Sequence, residues 1–152
     1  MKLKSNETIV LKNKIINILM KNGKKRTGEK ILLKSAKLLQ KSTSKSFQNL
    51  VQLVIINTTP VFKLNEQAVK KGKRKAQKII PFFIVKNSLR IMTALKFLKD
   101  SVAKDKTNVG FHKSLVKEIL AASSLKGQSI EQKNKLQTQA LLNKRYMSKF
   151  RW

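Results

Sequence analysis

Apolar positions recur along this chain at helical spacing, with one interruption where the period shortens to two. The clearest stripe is Phe47, Leu50, Val51, Val54 and Ile55. It follows i, i+3, i+4, i+7, i+8 and predicts a helix that ends by Thr59, because Pro60 disfavours helical backbone in the residue before it. Two helices are expected ahead of this one. The first covers residues 8–21, with Ile9, Ile15, Ile16 and Leu19 on one face and Asn22-Gly23 as a left-handed stop. The second starts from Thr27 as N-cap, carries Glu29 in its first turn and runs to Gln40, with Ile31, Leu32, Ala36 and Leu39 inward. Residues 41–45 read as a polar loop.

Three more helices are expected in the second half. Asn87 or Ser88 caps the fourth, whose buried stripe is Ile91, Ala94, Leu95, Leu98 and Val102. After a loop at 105–110, the fifth covers 111–125, with Leu115, Val116, Ile119, Leu120 and Ala122 inward. Lys126-Gly127 ends it. Ser129-Ile130-Glu131-Gln132 has the form of a capping box and opens the sixth. That last helix is the least amphipathic, since Lys133, Lys135, Lys144 and Arg145 are interleaved with Leu136, Ala140 and Leu141.

Between the third and fourth helices, residues 61–85 read as a two-stranded ribbon. Apolar-leaning segments flank a basic run at 68–78, whose Gly72 lets the backbone turn with positive φ. Strands of about seven residues would extend on the order of 20 Å from the body. Pro81 lacks a ladder donor and argues for an edge or bulged strand. Phe82 and Phe83 alternate to opposite faces, one to pack on the helices and the other toward a partner. The expected fold is mainly α: a compact body of about six helices with a protruding two-stranded β-hairpin between the third and fourth. One domain covers residues 1–152, with the body at 8–59 and 87–149, the hairpin arm at 61–86 and a tail at 146–152.

Charge moves the argument from fold to partner. The chain has 35 Lys+Arg against 7 Asp+Glu, a formal net charge of +28. Self-repulsion on that scale opposes folding alone, and a partner with fixed negative charge offsets it. Nucleic acid fits, because each neutralised phosphate releases counterions. A membrane fits poorly. No helix pairs a wholly basic polar face with an aromatic apolar one, and the longest apolar run, 79–85, is far short of the ~20 residues a spanning helix needs. The opening residues 1–7 have neither an apolar h-region nor the Arg-rich character of a transit peptide.

Catalytic chemistry has little to work with. The chain has no cysteine, which excludes disulfides, thiolate metal sites and thiol nucleophiles. His112 is the single histidine, so neither a histidine triad nor a two-histidine metal site can form; it reads as a surface or helix-start residue, with a phosphate contact as the alternative. Glu7, Glu29, Glu66, Asp100, Asp105, Glu118 and Glu131 are not spaced as a dyad, and the glycines form no nucleotide loop. A non-enzymatic protein without cofactor or metal is expected.

The candidate contacts with a polyanion follow the basic clusters. The ribbon tip offers Lys70, Lys71, Lys73, Arg74, Lys75 and Lys78. Lys24, Lys25 and Arg26 form a turn at a helix start, where free amide groups and the helix dipole add to their charge, and Arg90 sits in the first turn of the fourth helix. Lysine, a point charge without a bidentate fork, favours backbone contact over base reading. The terminal aromatics Tyr146, Phe150 and Trp152 either pin the tail to the body or stack on RNA bases. A rival reading is a DNA-bending architectural protein that lays a basic β-ribbon in the minor groove. Against it stand more helices than such small folds need and the lack of an obvious dimer face.

Several segments, in order along nearly the whole chain, resemble the universal small-subunit ribosomal protein seven family. Lys14-Ile15-Ile16-Asn17-Ile18-Leu19-Met20-Lys21-Asn22-Gly23-Lys24-Lys25 is similar to the start of its globular domain. Asn57-Thr58-Thr59-Pro60 resembles its Asn-x-x-Pro before the β-hairpin, Ala94-Leu95-Lys96-Phe97 its fourth-helix core, Lys126-Gly127 its turn into the last helix, and Phe150-Arg151-Trp152 its ending. The resemblance implies a primary rRNA binder that nucleates assembly of the small-subunit head, near the exit-site tRNA, the mRNA exit channel and neighbouring head and platform proteins. It implies RNA contacts from the hairpin, the first interhelical turn and the fourth-helix start at Lys86 and Arg90. It adds Lys96, and Lys133, Lys144, Arg145 and Arg151 in the last helix and tail. The family's Arg-Arg-Val-Gly-Gly and Tyr-Gln-Val-Pro are only echoed here, by Val69-Lys70-Lys71-Gly72 and Lys78-Ile79-Ile80-Pro81. This drift, with the lysine and isoleucine bias, resembles an organelle-encoded mitochondrial member; a plastid or bacterial ribosome is the alternative.

Overall fold

A computed structural model describes residues 5–44, 46–71, 74–105 and 110–149, with backbone only at 5–9, 68–71, 74–77 and 148–149. The order of elements is α1 (Ser5–Leu19), α2 (Lys25–Ser42), α3 (Phe47–Thr58), β1 (Phe62–Lys71), β2 (Arg74–Phe83), α4 (Asn87–Lys104), α5 (Phe111–Ser123) and α6 (Gln128–Leu142), closed by a 3-10 helix, Lys144–Lys149. The protein is mainly helical, and an antiparallel hairpin joins α3 to α4, as the apolar pattern predicts.

Helix α5 is central and packs against α2, α3, α4 and α6. Its Leu115, Val116, Ile119 and Ala122 are buried with Leu50, Val51, Val54 and Ile55 of α3 and Leu95, Leu98 and Val102 of α4. Leu39 of α2 and Ile130 of α6 complete the core. Each Leu, Ile or Val among them contributes about 1.5–3 kcal/mol by leaving water.

The helix ends differ from the local signals, each for a tertiary reason. Asn22 (φ 52) and Gly23 (φ 72) are left-handed and stop α1 as expected. They turn the chain so sharply that α2 starts at Lys25, with Lys24 at its N-cap; Thr27 lies inside the helix and Glu29 beyond its first turn. Gly28 is thereby placed where α2 crosses α1, and a Cβ there would sit 3.3 Å from the Ile16 carbonyl oxygen. Lys41 and Ser42 extend α2 rather than starting the loop. Neither Asn87 nor Ser88 caps α4; Lys86 holds that position, and the Ser88 hydroxyl accepts from Lys14 Nζ of α1 at 3.1 Å.

Helix α5 stops at Ser123, not at Leu125. Leu125 takes the left-handed conformation (φ 59), while Lys126 N–H donates to the Ala121 carbonyl at 2.8 Å and Leu125 N–H to that of Ala122 at 3.3 Å. This pair of bonds is a Schellman closure, formed here around a leucine instead of the usual glycine. The capping box does not form at α6. Gly127 is the N-cap, and Ser129, fully buried, donates from both its N–H (2.8 Å) and its Oγ (2.6 Å) to Glu118 Oε1 of α5. A carboxylate from the neighbouring helix replaces the local cap and suits the positive end of the α6 dipole.

The strands are 10 residues each, longer than the apolar alternation suggests. Their register runs without a bulge from Phe62↔Phe83 to Lys71↔Arg74, and Pro81, buried, pairs with Leu64 in line. A two-stranded ribbon consists of edges, where a missing donor is tolerated. The basic run at 68–78 is therefore built into both strands and is not confined to a tip.

Candidate nucleic-acid interface

The inner end of the hairpin is tied to the body. Ile84 N–H donates to the Val61 carbonyl at 3.0 Å, and the rings of Phe62 and Phe83 lie 4.6 Å apart. Phe83 thus packs within the hairpin base, while Lys63 Nζ lies 5.9 Å from the centre of the Phe82 ring. Strand β1 packs on α6 and β2 on the 3-10 helix. There Lys78 Nζ sits 4.2 Å and the Arg145 guanidinium 4.9 Å from the centre of the Tyr146 ring. Of the two readings of the tail aromatics, pinning describes Tyr146. Phe150, Arg151 and Trp152 lie outside the described residues.

Each cation–π contact contributes roughly 0.5–1 kcal/mol at such a site. Tyr146→Leu is expected to leave global unfolding nearly unchanged while amide exchange around Lys78 quickens about fivefold or more. Unchanged exchange there would mean that Tyr146 does not hold the hairpin.

The predicted contact residues fall into two sets. Lys24, Lys25 and Arg26 are exposed at the start of α2, Lys86 at the N-cap of α4 and Lys96 on the outer side of α4. Lys144 and Arg145 are exposed too, but in the 3-10 helix rather than in α6. In the hairpin, Lys70 stands opposite Lys75 and Lys71 opposite Arg74. The side chains of these four, and Gly72 and Lys73 altogether, lie outside the described residues. Like charges in directly opposed positions destabilise a strand pair, so the register concentrates cations where an anion is needed to offset them.

The second set is engaged with the body. Arg90 is half-buried, and its Nε donates to the Pro60 carbonyl at 3.4 Å, bracing α4 against the entry to β1. Lys78 lies on Tyr146. Lys133 Nζ donates to the Asn57 carbonyl at 2.6 Å, while Asn57 Nδ2 donates to the carbonyls of Ala122 at 3.0 Å and Ser123 at 3.4 Å. One asparagine therefore joins the C-terminal ends of α3 and α5 and receives α6 through Lys133. The positioning role of Asn57 was missed from the sequence; its place just before the Pro60 helix stop was the available signal. His112 is half-buried in the first turn of α5, and its carbonyl accepts from Ser35 Oγ of α2 at 3.3 Å.

Other surfaces are poorer candidates for chemistry. A groove between α1, α2 and α3 is lined mainly by apolar side chains, among them Leu11, Ile15, Leu33, Phe47 and Val51. Among the described residues no three of His, Asp or Glu gather as a metal site, and no helix is long and apolar enough to cross a membrane.

The family model for ribosomal protein S7p/S5e matches residues 2–144. The chain belongs to the ribosomal protein S7p/S5e family. It is 29% identical over 147 residues to small ribosomal subunit protein uS7m of Reclinomonas americana, spanning 97% of this chain and 87% of that protein. It is 30% identical over 139 residues to uS7 of Xylella fastidiosa strain 9a5c, spanning 91% and 84%, and 27% identical to uS7 of Acidithiobacillus ferrooxidans, spanning 91% and 85%. Membership in the S7p/S5e family supports a structural role in the small ribosomal subunit, and these relatives are named as ribosomal proteins rather than enzymes. The family-model match ends just before Arg145 and Tyr146, whereas the 147-residue alignment with uS7m extends past them.

Proposed function

We propose that this chain is a primary rRNA-binding protein of the small subunit of a mitochondrial ribosome. It nucleates assembly of the head and sits beside the exit-site tRNA, the mRNA exit channel and neighbouring head and platform proteins. The hairpin cations, the turn at 24–26 and the start of α4 meet the RNA; Lys78, Arg90 and Lys133 hold those elements in place. The observation that carries this reading is the family match over residues 2–144 in a chain of net charge +28. Phosphate contact at many lysines gives strong, salt-sensitive affinity. The S7p/S5e match favours RNA over the DNA-bending alternative. The lysine and isoleucine bias and the uS7m relative support a mitochondrial setting, with a bacterial or plastid ribosome as the alternative.

Sedimentation of a tagged chain, followed by cross-linking of the hairpin lysines in intact ribosomes, tests the proposal. The chain is expected in the small-subunit peak of the mitochondrial fraction, with its lysines joined to small-subunit rRNA. A chain that sediments free of small subunits, or whose lysines join only DNA, overturns it.

A further inference from the structure

We infer that the outer face of α2 is a second RNA contact, a straight row of cations that follows the phosphate backbone of a double-helical RNA segment. The inference rests on the rRNA-binding reading above and extends it from Arg26, already named, to four lysines outside the named clusters. Arg26, Lys30, Lys34, Lys37 and Lys41 stand at i, i+4, i+8, i+11 and i+15. With 3.6 residues per turn they share an arc of about 80°, and with 1.5 Å of rise per residue they cover about 22 Å. All five are exposed. Leu32, Ser35 and Leu39 on the other side are buried, which sets the roll of the helix and turns the row outward. Glu29, the only acid of α2, is half-buried on the flank of the row.

A chain this basic has lysines enough for every helix. Helix α3 takes none. Its 12 residues include no charged one, although Asn49, Leu53 and Ile56 are exposed. The cations are partitioned between helices, and one outward face takes five. Like charges at i, i+4 destabilise a helix, so this row is unfavourable until an anion lies along it. Lysines bind phosphates as point charges and do not read bases. A duplex offers roughly one phosphate per 1.7 Å of axis at fixed positions, which suits a rigid row better than a flexible single strand does. Double-stranded RNA is recognised mainly through such backbone and shape contacts.

The test uses the full chain and a mixed-sequence RNA duplex long enough to span the row. Affinity is measured against salt for the parent and for the variant Lys30→Gln/Lys34→Gln/Lys37→Gln/Lys41→Gln. Glutamine matches lysine in helix propensity, so α2 persists, and circular dichroism confirms it. Each lost phosphate contact lowers the slope of log affinity against log salt by about 0.7–0.9, so the variant is expected to lose about 3. A control with the same change in charge, scattered over other exposed positions (Lys104, Lys113, Lys117 and Lys126 to Gln), is expected to lose less than about 1. An unchanged slope in the α2 variant, or an equal loss in the control, overturns the inference. So does a parent chain that binds intact small-subunit rRNA but not the duplex, an outcome that leaves the proposed function standing. A parent that binds neither, or binds only anionic phospholipid vesicles, overturns both.

Discussion

Replacing Lys70, Lys71, Lys73, Arg74 and Lys75 together with glutamine is expected to weaken binding to small-subunit rRNA at least about a hundredfold near physiological salt. The log–log salt slope is expected to flatten by about 4, one contact for each cation removed. By backbone register Lys70 pairs with Lys75 and Lys71 with Arg74 at the outer end of the ladder. The core cluster among the described residues is built from α2 to α6. The variant therefore folds at least as well as the parent, because self-repulsion is reduced. Fluorescence anisotropy with labelled rRNA across a salt series measures both quantities. A variant that keeps the parental slope would place the RNA contact elsewhere on the molecule.

Gly127→Ala is expected to destabilise the fold by about 2–4 kcal/mol, the sum of backbone strain and a lost helix cap. Gly127 has φ 143, which L side chains rarely adopt, and a Cβ there would lie 2.9 Å from Glu118 Oε1 and 3.3 Å from the Ala121 Cβ. The carboxylate that would be displaced is the one that receives both Ser129 donors at the start of α6. Gly23→Ala is the comparison. Its φ is 72 with nothing within 4 Å of the added carbon, so only the left-handed cost of roughly 1–2 kcal/mol applies. Urea unfolding in about 1 M salt, where charge repulsion is screened beyond ~3 Å, gives the difference as a midpoint shift at constant m. Equal losses in the two variants would show that the close approach to Glu118 does not matter.

The stripes of α3, α4 and α5 were legible in the sequence because their apolar spacing is complete and their neighbours are polar. The stop at Asn22-Gly23 was legible because its cause is local. The caps were not. Thr27, Ser88 and Ser129 each carry a sound local signal; α2 starts ahead of Thr27 straight after the turn at Asn22-Gly23, and Ser88 and Ser129 are engaged from other helices, by Lys14 and by Glu118. Strand length was underestimated because the outer ladder is polar and has no alternation to read; its pairing follows from a register set at Phe62 and Phe83. For the interface, the basic clusters could be located by position alone. What each cation does depends on partners far along the chain. Arg90 meets Pro60 across 30 residues and Lys133 meets Asn57 across 76, and no local pattern encodes such pairings.

The bond from Ile84 to the Val61 carbonyl brings the chain into and out of the ribbon at one spot. The ribbon is thus an insert whose ends are already joined at its base. Residues gained or lost as matched sets, equally in the two strands, leave the body as it is. A lone extra residue in one strand turns every side chain beyond it to the opposite face. Reach is therefore an adjustable dimension of this architecture, altered at the far end of a finger while the knuckle stays fixed.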